Sequence, residues 1–199
     1  MHLGVLLQPR LDLPRLAQVL DELGHLGRVD TIRGWGKETQ AMLWDAVKGF
    51  HPLTLDAFVP PGTAPLTEVI HEGRNTLPAI VHGGRHFQKR ICKPSKEGAT
   101  ELYGYNQNFG LSRTASPGYF VVVPGDADGE VNIDYRRVPS EKPAGWPEIE
   151  TNDTGFIRKL AHGGMEDVMR GISNHVTIGR ARRGGQPMDA WFVLCRKDP

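Results

Sequence analysis

The amino-acid sequence predicts a mainly β chain of the α+β kind, an antiparallel β-barrel of about eight strands preceded by N-terminal helices. Three observations predict it. From Leu55 onward, short apolar runs arrive at regular intervals, separated by turn chemistry such as Pro60-Pro61-Gly62, Lys96-Glu97-Gly98 and Gly125-Asp126-Ala127-Asp128-Gly129. The last two runs, His175 to Arg183 and Gln186 to Arg196, flank Gly184-Gly185 and read as a hairpin. Ahead of these, leucines recur at helical spacing.

Leu11, Leu13, Leu16, Leu20 and Leu23, with Val19, form the first helical stripe, and Asp12 with Pro14 supplies an N-cap and a first-turn proline. That helix is expected to stop near Gly24 or Gly27. A second is expected from Lys37 to Val47, closed by Gly49. The pair divides the chain into a helical segment, 1–50, that covers a barrel end or sheet edge, and a barrel, 51–199. Strands are expected over Leu55 to Val59, Leu66 to Gly73, Arg85 to Cys92, Glu101 to Gln107, Gly118 to Val123 and Glu130 to Val138. Pro139 to Asn152 reads as a proline-rich loop laid across the barrel, with Trp146 as its packing anchor. Phe156 to Ala161 reads as one more strand. Met165, Val168, Met169 and Ile172 have the spacing of a short helix over Gly164 to Ile172. In the hairpin, Val176 and Ile178 share one face, as do Ala190, Phe192 and Leu194.

Charge is nearly balanced, with 24 Lys+Arg against 23 Asp+Glu, which argues against a dedicated nucleic-acid binder. The one basic stretch, Lys89 to Lys96, alternates between faces and reads as a solvated edge. Cys92 and Cys195 lack ligand or redox spacing and are expected to be buried small hydrophobes. The sequence shows no signal-peptide pattern at its start and no apolar run of about 18 residues, so a cytoplasmic protein with no membrane span is expected. Nucleotide-binding glycine motifs and a nucleophile elbow are both missing, and no cofactor is called for.

Candidate functional residues come from strands whose faces are open to question. Asp134 and Arg136 lie two apart in Glu130 to Arg137, either as an exposed pair or as a polar anchor inside the barrel, where Arg90 and Arg180 join from other strands. Tyr103 and Tyr105 also share a face, with Gly104 between them marking a bend or a close backbone approach. Trp35 and Trp44 are candidates for the mouth. Among the eight histidines, His71, His82 and His86 are the one group that a sheet brings together, but no metal-ligand motif accompanies them and no metal is expected.

Gly34-Trp35-Gly36-Lys37 followed by Phe50-His51-Pro52-Leu53, and the hairpin His175 to Arg196, resemble the bacterial GXWXG proteins, although the G-x-W-x-G signature itself is missing. The order of helical pair, barrel strands and a final Val-Thr-Ile-Gly-Arg run leading to Phe192-Val193-Leu194 is similar to the plastid lipid-associated fibrillins. The resemblance implies a lipocalin-like barrel that holds an apolar ligand, and it transfers no catalytic residue. The leading expectation is therefore a bacterial-type barrel binding one small, mostly apolar molecule, lined by Tyr103, Tyr105, Asp134, Arg136 and Arg180. An alternative is an isomerase, cyclase or lyase on the same barrel, with Asp134 or a histidine as base and Tyr103 or Tyr105 as proton donor. A third is a homo-oligomer built through the amphipathic N-terminal helices.

Overall fold

A computed structural model describes residues 11–77, 85–108, 118–150 and 164–198. Helix α1 (Leu13–Glu22) begins as its sequence predicts: the Asp12 carboxylate accepts a hydrogen bond from the Arg15 amide at 3.0 Å, and proline sits in the first turn. Leu16 and Leu20 form its buried face. Helix α2 (His25–Arg33) was not expected. Helix α1 stops just before Gly24, as expected, and Gly24 is at the same time the extended N-cap of the new helix. Its buried face holds Arg28, Val29 and Ile32, so one of the three inward positions is charged and the apolar stripe is hard to see. Helix α3 (Lys37–Ala46) forms where the spacing predicts, burying Gln40, Leu43 and Trp44. No described helix is long and apolar enough to cross a membrane.

Among the described residues eight strands follow: β1 (Val69–Asn75), β2 (His86–Cys92), β3 (Leu102–Asn108), β4 (Tyr119–Pro124), β5 (Val131–Asp134), β6 (Met165–Gly171), β7 (Val176–Arg183) and β8 (Gln186–Arg196). Each pairs antiparallel with the next, and β8 returns to β1, closing an up-and-down antiparallel barrel. The hairpin between β7 and β8 pairs Arg183 with Gln186 across Gly184 and Gly185, both at positive φ (57° and 77°). Glycine takes those two left-handed positions without strain, and the resulting turn matches the twist of the strands.

Three expectations are corrected. Gly164 to Ile172 is mostly strand β6 and not a helix. Its period is disguised because both faces are buried: Val168 packs under the helices while Met169 points into the lumen. Leu55 to Val59 is not a strand. It forms a 3-10 turn, Leu55–Ala57, followed by Phe58 and Val59, which enter the barrel core. Glu130 to Val138 pairs only as far as Asp134, whose carboxylate accepts the Arg136 amide at 2.9 Å and turns the chain. Phe156 to Ala161 lies outside the described residues.

Three apolar clusters organise the described residues. One lines the lumen and includes Phe58, Ile91, Phe120, Val122, Ile133, Phe192 and Leu194. A second lies between the helices and the outer wall of β6, β7 and β8, where Val176, Ile178, Trp191 and Val193 meet Leu16, Leu20, Ile32 and Leu43. The third lies on the outer wall of β2, β3 and β4, where Tyr103, Tyr105 and Tyr119 pack around Trp146 of the proline-rich loop. One end of the barrel is plugged. His71 Nε2 donates to the Phe58 carbonyl at 2.9 Å, Arg196 to the Ala57 carbonyl at 2.7 Å and Lys93 to the Pro60 carbonyl at 2.9 Å. The β7–β8 hairpin marks the opposite end.

Candidate functional site

The side-chain period of two on β2 sends Phe87, Lys89 and Ile91 to one face, and that face is the lumen. Lys89 is therefore a charged residue on an apolar stripe, 2% exposed. Its Nζ lies 4.8 Å from the ring centre of Phe120, 4.9 Å from Phe192, 5.0 Å from Tyr135 and 5.6 Å from Phe87. Rings at such distances attract a cation through their electron-rich faces. They fit because glycines stand behind them. A Cβ on Gly104 would lie 2.4 Å from the Phe120 ring, and one on Gly179 would lie 2.3 Å from the Phe192 ring.

Polar groups complete the shell. Lys89 Nζ donates to Asn106 Oδ1 at 2.9 Å and to the Tyr135 hydroxyl. Asn106 Nδ2 donates to the same hydroxyl oxygen at 3.0 Å, and Asp167 Oδ2 lies 3.5 Å from the ammonium. Asn106 comes from β3, Asp167 from β6 and Tyr135 from the residue after β5, so the cluster spans half the barrel. Burial dominates its electrostatics. It lowers Lys89 to about 8, against the pull of Asp167, and raises the Asp167 carboxyl, against the pull of Lys89. Burial also holds the Tyr135 phenol well above its usual value. The arrangement combines an amine near its titration point, an acid with weakened ionisation and a neutral phenol in apolar surroundings. These are the parts of a proton-transfer or nucleophilic site.

Buried His71 and Thr177 face the same lumen. His71 lies opposite Lys89 in the β1–β2 register and is lowered to about 4, by burial first. It is neutral at pH 7 and holds the plug through its Nε2 proton. Thr177 is buried, and its hydroxyl has no hydrogen-bond partner among the described residues. It pairs with Leu194 across the β7–β8 register, so it shares the lumen face.

The residues expected to line the lumen lie on the outside of the wall. Tyr103 and Tyr105 belong to the cluster around Trp146, with the Tyr103 hydroxyl 3.0 Å from Ser140 Oγ. Asp134 and Arg136 do pair, at 2.8 Å, and Arg136 also reaches Glu166 at 2.9 Å. The Arg136 side chain is 56% exposed while the Asp134 and Glu166 carboxylates it joins are 9% and 13% exposed, so the group sits at the outer edge of the wall and not in the lumen. Arg180 joins neither group. Its guanidinium lies 5.1 Å from the Trp191 ring centre, and its Nε donates to the Met188 carbonyl at 3.0 Å. Trp35 and Trp44 are buried beneath the helices and do not form a mouth. Arg170 stacks on Trp44 at 3.8 Å. His71 faces inward while His86, three positions from Lys89 on β2, faces outward, so they do not meet. His82 lies outside the described residues. Among the described residues, no group of three or more His, Cys, Asp or Glu side chains is placed to hold a metal ion.

Sequence reasoning missed Lys89, Asp167, Tyr135 and Asn106 as a group. One signal was available: Phe87, Lys89 and Ile91 alternate as an apolar face interrupted by one amine. Two clefts of about 410 and 440 Å³ lie beside the 3-10 turn and share Leu55 and Asp56, and neither contains a member of the Lys89 cluster. No protein-family model, curated protein or solved structure matches the chain.

Proposed function

We propose that the barrel binds one small, mostly apolar ligand in its lumen, with an oxygen of that ligand meeting the Lys89 cluster. The observation that carries this reading is a fully enclosed amine ringed by aromatic side chains. As a purely structural element it is a poor choice, because an apolar side chain of similar volume generally stabilises a core as well as or better than a buried ion pair. A reason beyond stability is needed to keep it there. A ligand with an apolar body and one polar group supplies that reason, since such sites use a few placed polar groups in apolar walls. The resemblance to lipocalin-like proteins points the same way.

Native mass spectrometry of the full chain purified from its own host tests this, followed by titration with octanoate and with octanol. The expected result is a co-purifying small molecule, or saturable one-to-one binding of an octyl probe that weakens when Lys89 is replaced by methionine. Neither probe binding, and no molecule co-purifying, would overturn the reading. A second reading, an isomerase, cyclase or lyase, draws support from Lys89, Asp167 and Tyr135 lying within one hydrogen-bonded group. On this reading Asp167 takes the role expected of Asp134, and Tyr135 the role expected of Tyr103 or Tyr105.

A further inference from the structure

We infer that Lys89 is a carbonyl-capturing nucleophile, whose Nζ, enclosed by four aromatic rings with Asp167, Tyr135 and Asn106 at its side, forms a reversible imine with an apolar aldehyde or ketone. This rests on the ligand-binding reading above and names the ligand class. An imine-forming lysine needs an amine that is not locked as a solvated ammonium, walls that exclude water, and an anion to balance the iminium ion once formed. The lumen provides all three. Lys89 is removed from water, the rings present apolar faces, and the Asp167 carboxylate stands where the iminium charge would develop.

The chemistry balances without a redox partner. The Nζ lone pair attacks the carbonyl carbon, a C–N bond forms, and the C=O π pair moves to oxygen. That oxygen takes up the proton the nitrogen releases, with the Asp167 carboxyl as relay. A second proton transfer expels the hydroxyl as water and leaves C=N. Amine plus carbonyl thus give imine plus water, and hydrolysis reverses the sequence. The four ring faces that attract the ammonium attract the iminium as well.

Entry is from the hairpin end. Phe87 and Phe192 meet edge to face at 6.0 Å, each 7% exposed, and Asn106 beside them is 8% exposed, whereas Phe120 behind them is fully enclosed. Phe192 is in register with Asn75, the last residue of β1 at that end. On this proposal Phe87 and Phe192, packed against Gly73 and Gly179, are the side chains that have to turn aside for a carbonyl group to reach Nζ.

The test is reductive trapping on the intact full-length chain, with octanal as the aldehyde and cyanoborohydride as reductant, read by intact mass and peptide mapping. The expected result is one octyl group per chain on Lys89, formed about tenfold or more faster than on any other lysine near pH 7.5. The trapping rate should rise with pH and level off near pH 8, whereas exposed lysines keep accelerating to higher pH. This profile is read on the unmodified chain, so it does not depend on a variant folding. Lys89→Arg should abolish the selective adduct, and Asp167→Asn should slow it with circular dichroism unchanged. Adducts spread over other lysines with Lys89 unmodified, while octanoate or octanol still binds, would overturn the imine and leave the binding site standing. Failure of every octyl probe would remove both.

Discussion

His71 and Lys89 are neighbours in the lumen, and burial disfavours the charged form of each. For His71 the folded value is about 4 against 6.5 unfolded, so the unfolded chain binds more protons between those limits. Its contribution to stability is fully present above pH 6.5 and is lost as pH falls to 4, by about 3 kcal/mol at most. His71→Gln should therefore flatten the acid limb. The difference in urea midpoint between wild type and variant should shrink or reverse as pH falls from 6.5 to 4.5, and parallel curves would refute the assignment. For Lys89 the window is alkaline: stability from this group rises as pH climbs from about 8 toward 10.5, where the folded chain has shed a proton that the unfolded chain retains. Lys89→Met leaves the Asp167 carboxyl buried without its partner and should cost about 3–5 kcal/mol in urea unfolding at pH 7. Replacing both, Lys89→Met with Asp167→Leu, should recover most of that loss or exceed wild type. A double variant as unstable as the single one would show that the pair is needed for folding itself.

At the level of elements, period and turn chemistry made much of the barrel legible, but which face of each strand turns inward was not. Along β5 and the residues just after it, Val131, Ile133 and Tyr135 share the lumen face that their alternation predicts, whereas the candidates Asp134 and Arg136 lie on the opposite face. The polar groups that matter sit among the apolar ones, because strands covered on both sides by the lumen and by helices or a loop no longer alternate cleanly. The same double burial made β6 read as a helix. Lumen glycines are the more local clue. Gly179 on β7 has the Phe192 ring at 2.3 Å and Met169 Sδ at 2.6 Å from the position of an added Cβ. Gly179→Ala should cost about 1–3 kcal/mol, since both neighbours are held in a packed interior. Phe192→Leu in the same chain should reduce that cost, giving a non-additive pair. Full additivity in thermal or urea unfolding would mean that the ring and the glycine are not in contact.

Across the whole molecule, the helices are part of the barrel's structure and not an appendage. They cover the outer apolar faces of Val176, Ile178, Trp191, Val193 and Cys195, and polar ties fix them there. The Asn174 side chain donates to Asp21 at 2.8 Å, Arg170 donates to the Trp44 carbonyl at 2.8 Å, and the buried Arg28 guanidinium pairs with Asp198 beyond β8. Their amphipathic faces are thereby used inside the chain, which bears on the expectation of an oligomer built through them. If those faces are satisfied by the barrel, removing the helices should create association that the full chain lacks. A chain beginning at His51 keeps every strand but exposes a contiguous wall of β6, β7 and β8, and apolar patches of a few hundred Å² or more drive self-association. Size-exclusion chromatography with light scattering should therefore show larger species for the shortened chain than for the full one at equal concentration. The excess should diminish when Trp191 and Val193, at the centre of that wall, are replaced by Lys and Thr. If instead the full chain is an oligomer and the shortened one a monomer, the helices serve assembly, and their packing on the barrel is not their main use.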